Sequence, residues 1–284
     1  MTTTISNSIL SAKINHKGAE LISLQNLETK REYIWEGNPE FWGKHAPVLF
    51  PIVGTLKNNC YEYEGKIFSL NRHGFARDFD FQLITQEKDK VVFSLQANEM
   101  TFNIYPFKFE LQLTYTLNET TLNVSYKVIN NSSETMPFSI GGHPAFALNN
   151  TFEKYGLQFE SGEKLISYTL ENDLLSDKTQ NIELKNNQLP LTYSLFEKDA
   201  LVFKSLQSKQ IKILENNLPI LNFKFNDFPH FGIWTKINAP FICLEPWLGY
   251  ADTTNTIGNI LEKEGIQLAE SNSYKEYNFS IEII

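Results

Sequence analysis

The chain has 284 residues and a formal net charge of −8 from 25 basic and 33 acidic side chains; 42% of it is hydrophobic, with 22 Phe and 12 Tyr. That apolar content fills a sizeable core, and all-β sandwiches and barrels of this length occur undivided, so residues 1–284 are read as a single domain. The acidic field repels nucleic acid and anionic membranes, which excludes both as partners and leaves a small molecule as the ligand class.

Taken in chain order, period-two alternation of apolar and polar residues marks strands at Ser8–Ile14, Leu21–Leu24, Ile67–Leu70, Phe79–Thr85 and Val91–Ala97. Phe109, Leu111, Leu113, Tyr115 and Leu117 continue the pattern. It resumes after Asn118-Glu119-Thr120 with Leu122, Val124, Tyr126 and Val128, which predicts a long β-hairpin. Further runs cover Leu201–Ser205, Ile211–Leu214, Ile220–Phe225, Phe241–Glu245 and Tyr277–Ile283. Helical patterns are short, at Pro39–Lys44, Tyr193–Asp199 and Asn259–Glu264. Segment 149–190, with Asn149-Asn150, Asn172-Asp173 and Asn186-Asn187, reads as polar surface loop. Without strand–helix alternation a parallel α/β fold is excluded, and the fold class is all-β with antiparallel sheets.

Cys60 and Cys243 lie too far apart in sequence for a disulfide framework, the first residues lack a signal-peptide pattern, and no apolar run nears the roughly 20 residues that span a bilayer. A cytoplasmic protein, monomer or homodimer, is the expectation. Sequons such as Asn123-Val124-Ser125 then carry no glycan.

Only three arginines occur, and Arg72 and Arg77 bracket His73 in Asn71-Arg72-His73-Gly74-Phe75-Ala76-Arg77-Asp78. With lysine handling surface charge, the planar guanidinium forks are reserved for a local task such as holding an oxyanion or vicinal hydroxyls. In an extended segment His73 and Arg77 share one face and Arg72 takes the other; a helical turn would also pair residues four apart. In Gly141-Gly142-His143-Pro144, the glycines allow close backbone approach and Pro144 biases His143 toward extended backbone. A core histidine at a strand end and a ligand-facing one fit equally well. Glu245 ends the apolar run Phe241–Leu244. A carboxylate there is either paired with a lysine or at work in proton transfer, with its pKa raised by burial. Trp247 offers a flat face to a sugar or simply fills core. His45 is a weaker candidate for the same site, His16 sits in a turn signature, and His230 stays undecided. No spacing for a local metal motif, a nucleotide phosphate loop or a nucleophile elbow is present, so neither cofactor nor metal is expected.

Pro47–Gly54, His73-Gly74-Phe75-Ala76-Arg77, Gly142-His143-Pro144-Ala145-Phe146 and Leu244-Glu245-Pro246-Trp247, in this order and at these separations, resemble the aldose 1-epimerase (galactose mutarotase-like) family, closest to the lactose-operon X protein branch. The resemblance runs from Gly18-Ala19-Glu20-Leu21 to the last strand. It implies a β-supersandwich with a sugar cleft and interconversion of the α and β anomers of an aldohexose. It also implies that His143 donates a proton to the ring oxygen, that Glu245 is the base for the anomeric hydroxyl, and that His73 is a second active-site histidine. Arg77 matches an arginine that lies near the phosphate in the hexose-6-phosphate branch, and Lys44 is the nearest match to a basic residue ahead of the Pro-x-x-x-Pro segment. Asp227 stands in for the family's substrate-binding aspartate. Asn58-Asn59 occupies the place of an Asn-Arg pair in simple galactose mutarotases, so the arginines that separate free from phosphorylated sugars are only partly kept. A non-catalytic sugar-binding module of the same fold is the rival reading. A glycoside hydrolase would need a second carboxylate in a comparable motif.

Overall fold

The alternating runs pair into antiparallel sheets in the computed structural model, which describes residues 1–284. Nine strands form one sheet, in the order Gln188–Pro190, Tyr155–Gln158, Gln210–Glu215, Leu218–Lys224, Ser273–Ile283, Thr121–Asn130, Phe109–Asn118, Lys90–Gln96 and Gln82–Gln86. Eight form another: Leu174–Ile182, Leu165–Glu171, Leu201–Phe203, His230–Trp234, Phe241–Leu248, Ile140–Gly142 and Val48–Leu49 in order, with Ala145–Ala147 also pairing Phe241–Leu248. A three-stranded sheet of Thr2–Ser6, Leu10–Asn15 and Glu20–Asn26 and two small two-stranded sheets complete a β-supersandwich.

The hairpin at the centre of the nine-stranded sheet follows directly from its residues. In Phe109–Asn118 the odd positions are buried and the even ones are not; Leu117 faces Leu122 and Tyr115 faces Val124 across the pair. Cross-strand apolar pairs of this kind stabilise a sheet on its core face. A single buried cluster of 65 residues joins the two large sheets. Phe223 of the first meets Phe146 and Phe231 of the second at ring-centroid distances of 5.7 and 6.2 Å.

Two expectations fail. Segment 149–190 is largely stranded, holding Tyr155–Gln158, Leu165–Glu171, Leu174–Ile182 and Gln188–Pro190. Its polarity comes from a solvent-facing hairpin, and Asn172-Asp173 and Asn186-Asn187 are the tight turns, with φ of 52° and 65° and of 52° and 62°. Asn and Asp tolerate that left-handed region, which two-residue hairpin turns require. Of the helical patterns, Pro39–Lys44 is an irregular turn, whereas the other two contain only the 3₁₀ turns Tyr193–Phe196 and Ile260–Glu262. The four-residue α-turn is Glu99–Phe102, capped by Asn98.

The strand Phe241–Leu248 leads into a return segment that is pinned beside it. Buried Lys263 donates to the Tyr250 carbonyl at 2.7 Å and to Asp252 Oδ1 at 2.8 Å, while Asp252 Oδ2 accepts the Lys57 amide at 2.9 Å. Removing one partner of a buried pair leaves the other charge without compensation. Lys263→Met is therefore expected to lower the urea-unfolding free energy by about 3 kcal/mol. Lys204→Met, which breaks a half-exposed pair with Glu264, is expected to cost under about 1 kcal/mol. Equal losses would contradict this account of the pin.

Candidate active site

Strand Phe241–Leu248 is buried along its whole length, and its two faces do different work. Ile242, Leu244 and Leu248 enter the main core, while Cys243, Glu245 and Trp247 point the opposite way. Two short segments pair with it in one common register: Ile140 and Gly141 lie opposite Leu248 and Trp247, and Ala145, Phe146 and Ala147 opposite Cys243, Ile242 and Phe241. The unpaired residues between them must then pass Glu245, and the residue that falls opposite it is His143. The imidazole Nε2 lies 3.2 Å from Glu245 Oε2. That is ion-pair distance, but alignment is too poor for a hydrogen bond, and Glu245 Oε2 and His143 Nδ1 are both buried without a partner.

His73 arrives from the other side. Its segment is neither extended nor helical: His73 and Gly74 have φ of 67° and 69°, and the 3₁₀ turn Ala76–Asp78 follows. Gly74 is required there, because a Cβ would collide with the Phe50 carbonyl and Pro51 N. The Phe75 and Ala76 amides donate to that carbonyl at 3.0 and 3.2 Å. This turn brings Arg72, His73 and Arg77 all to one cavity of about 670 Å³, together with His143, Glu245 and Trp247. The Gly54 amide donates to His73 Nδ1 at 3.1 Å, which fixes the hydrogen on Nε2. The 3.3 Å approach of Arg72 Nε to His73 Nε2 is then packing, since a neutral imidazole accepts at one nitrogen only. Arg77 Nη2 donates to the Arg72 carbonyl at 2.8 Å, and Arg72 Nη1 meets Asp173 Oδ1 at 3.2 Å.

Further wall residues are ones the sequence did not single out. Trp42 stacks on His143 at 4.8 Å with planes 27° apart, and Trp234 stands edge-on to the same imidazole at 5.8 Å. Glu197, Lys198 and Asp199 form part of the rim with Lys236. Asp199 has φ of 113°, a strained backbone for a non-glycine residue, and its Oδ1 accepts the Ala200 amide at 2.7 Å. Nothing periodic marks these positions, since Trp234 stands at the very end of a strand and the others enter from turns and loops.

Three predicted binding residues lie elsewhere. Lys44 is outside the cavity and pairs with Asp78 at 3.4 Å. His45 turns its Nε2 toward the Glu36 carbonyl at 3.1 Å and packs on Gly37, while its amide is anchored by Glu20 Oε1 at 2.7 Å. Asp227 is exposed in a turn, where its Oδ2 accepts the Asn278 amide at 2.7 Å. Chain proximity to a motif misled in the first two cases, and in the third no motif marked which aspartate the resemblance implies. His16 is half-buried, against Thr3 Oγ1 at 2.9 Å and edge-on to Phe93, instead of solvated. His230 Nδ1 accepts the Gly249 amide at 2.9 Å and serves the backbone.

Burial dominates the electrostatics. It raises the Glu245 carboxyl well above the ordinary carboxylate range, with Arg72 opposing it, and pushes His143 down to about 3, with Arg77 and Arg72 adding to the effect. His73 is held well below its usual value by burial, by His143 and by both arginines. Both shifts on the pair say that it prefers to carry one proton in total with no net charge. Donor atoms of His143, Cys243 and Glu245 lie within 4.8 Å of one another, a spacing a metal ion could bridge. Ligation needs a thiolate and a carboxylate, and burial opposes both by raising the Cys243 thiol and the Glu245 carboxyl.

Trp247 lies flat against the sheet because Gly232 and Gly141 leave room for it; a Cβ on Gly232 would collide with its Cη2 and Cζ2. Gly232→Ala is expected to push the indole into the cavity and weaken ligand binding at least about tenfold, about 1.4 kcal/mol, as read by calorimetric titration. Unchanged binding would remove Trp247 from the ligand wall.

The family model for aldose 1-epimerase matches residues 1–272. Two LacX proteins of Lactococcus lactis subsp. lactis, one plasmid and one chromosomal, are each 35% identical over 277 residues, covering 92% of either chain. Among solved structures, a galactose mutarotase related enzyme from Lactobacillus acidophilus is similar with a TM-score of 0.94 and 33% identity, over 100% of this chain and 97% of its own. A galactose mutarotase-like protein from Lactobacillus casei gives 0.95 and 30% over 100% of both. With a match of this extent and a cavity built around the motifs that carry it, the chain belongs to the aldose 1-epimerase family.

Proposed function

We propose that the protein is a mutarotase: it opens and recloses the ring of an aldohexose or hexose 6-phosphate, with Glu245 and His143 as the proton-handling pair. The single observation that carries this reading is their 3.2 Å approach in a buried wall of the cavity. Glu245 takes the proton of the C1 hydroxyl while protonated His143 delivers one to the ring oxygen, which gives the open aldehyde. Rotation about C1–C2 exposes the other carbonyl face, and the reverse transfers close the ring. The carboxylate–imidazolium pair that starts the step and the carboxylic acid–imidazole pair that ends it each hold one proton, since Glu245 gains one from the sugar as His143 gives one to it. The enzyme therefore needs no proton from solvent during ring opening, and burial favours the end state.

His73 Nε2–H is a donor for a sugar hydroxyl, and Trp247 a face for the C–H side of the ring. Asp199 takes the hydroxyl-binding role first assigned to Asp227. Arg72 and Arg77, with Lys198 and Lys236, give the cavity the positive groups a 6-phosphate would need against the overall acidic field. Cys60 and Cys243 are both unpaired, which fits a reducing compartment, and no helix is long and apolar enough to cross a membrane. A non-catalytic sugar-binding module would not need a buried carboxyl and imidazole at this distance, since an unpaired polar pair is costly to bury.

Glu245→Gln and His143→Asn are each expected to cut the mutarotation rate by about 10²–10⁴-fold with sugar binding retained. Polarimetry of freshly dissolved α-glucose, α-galactose and their 6-phosphates checks this, and rates near the parent's would end the assignment. Asp227→Asn is expected to leave the rate unchanged.

The pH profile of the parent should be a wide bell. Its acid limb, where the pair gains a second proton, lies below the ordinary histidine range because burial holds His143 at about 3. Its alkaline limb, where the pair loses its only proton, lies above the ordinary carboxylate range because burial raises Glu245. An acid limb centred near 6.5, the unperturbed histidine value, would contradict the shared-proton description.

A further inference from the structure

The pair starts the reaction as imidazolium and carboxylate, yet most of what surrounds His143 opposes a cation. Arg72 and Arg77 approach from the turn that carries His73, and His73 itself stands edge-on at 5.9 Å. Cys243, from the same strand as Glu245, offers a neutral thiol, because burial raises it. Glu245 is the one anion in contact with the ring, with Asp199 at greater range. The remaining groups on the ring are two indoles, Trp234 edge-on at 5.8 Å and Trp42 stacked face to face with it at 4.8 Å, and only Trp42 offers its π face.

That indole is fixed in place from several sides. Trp35 Nε1 donates to the Trp42 carbonyl at 2.8 Å, and Lys236 Nζ donates to the Glu40 and Phe41 carbonyls at 3.2 and 3.0 Å. Trp234 and Phe241 pack against the indole at 5.7 and 5.8 Å. The turn Pro39–Lys44 is thus tied down over the site, although it forms neither a helix nor a strand.

We infer that Trp42 is a positioning residue for the acid: its π face, laid on the His143 ring, stabilises the imidazolium–carboxylate arrangement over the neutral one and stops the imidazole from turning away from Glu245. A tryptophan face attracts a cation within about 6 Å of its centroid, most strongly where water is excluded, at about 2 kcal/mol, or roughly thirtyfold in an equilibrium. The proton involved moves between Glu245 Oε2 and His143 Nε2, so nothing enters or leaves the pair. The inference rests on the acid–base roles proposed for these two residues.

The test compares the parent with Trp42→Leu, which keeps bulk but no π face, and Trp42→Phe, which keeps a face. Trp42→Leu is expected to lower kcat about thirtyfold with KM within about twofold, and to move the acid limb of the pH profile down by about one unit; Trp42→Phe is expected to stay within about threefold of the parent. Uniform incorporation of increasingly fluorinated tryptophans, which weakens the π face without removing it, should lower kcat more steeply in the parent than in Trp42→Phe, which still carries fluorinated Trp234 and Trp247. The fluorinated series decides the matter if Trp42→Leu does not fold. ¹⁵N NMR of His143 reads its pKa directly, so the inference is testable even if mutarotation is absent from the parent, which would instead defeat the proposed function. Equal kcat and pH profiles for Trp42→Leu and Trp42→Phe, a fluorination series no steeper in the parent than in Trp42→Phe, or a His143 pKa insensitive to the substitution would overturn it.

Discussion

The site depends on one register. Two short segments on either side of Gly142-His143-Pro144 pair with Phe241–Leu248 as though they were one continuous strand, and the residues between them are lifted out of the ladder. A shift of one residue would turn Glu245 into the main core and move His143 off its partner, because side chains alternate faces along a strand. Pro144 has no amide to donate, and its carbonyl accepts the Leu244 amide at 3.2 Å, which holds the lifted segment close to the strand it left. The proposed catalytic pair is therefore held by strand pairing on both sides of the lifted residues.

Rigidity and burial together explain the proton chemistry. A carboxylate and an imidazolium side by side in a dry wall are costly to charge separately, so the two groups titrate as a unit holding one proton. Ring opening of a hemiacetal asks for a base at one oxygen and an acid at the other. A pair that would take one proton from the sugar and return another meets that demand at constant net charge. Arg72 favours the ionised form of Glu245 but disfavours a charged His143, which is why the imidazole gains from an aromatic face.

Much of the architecture was legible in the residues. The Phe109–Val128 alternation gave a hairpin with the same inward set, and the apolar run Phe241–Leu244 gave the buried strand, though its pairing continues through Leu248. Hydrophobic period is a local property and survives without tertiary information. The 149–190 segment shows the limit, because strands with one solvated face and Asn-rich tight turns look like loop in composition. At the site, His73, Arg77, His143, Glu245 and Trp247 could be named because their motifs break the alternating pattern, and all of them line the cavity. Trp42 and Asp199 could not, since turns bring them in by long-range packing, nor could Trp234, which ends a strand with no motif beside it. Lys44 and His45 were misjudged for the matching reason, that adjacency in sequence does not fix the direction of a side chain that leaves a turn, and Asp227 had no motif to place it.

The central claim is that the cavity accelerates exchange between anomers by acting on a free hemiacetal. Two-dimensional ¹³C exchange spectroscopy on equilibrated [1-¹³C]glucose, [1-¹³C]galactose and their 6-phosphates measures that exchange directly. The account predicts protein-dependent cross-peaks between the α and β C1 signals of at least one of these sugars, and none for the corresponding methyl glycoside, whose anomeric oxygen has no proton to give. Exchange no faster than in buffer for every free sugar, with the sugar bound, would contradict it.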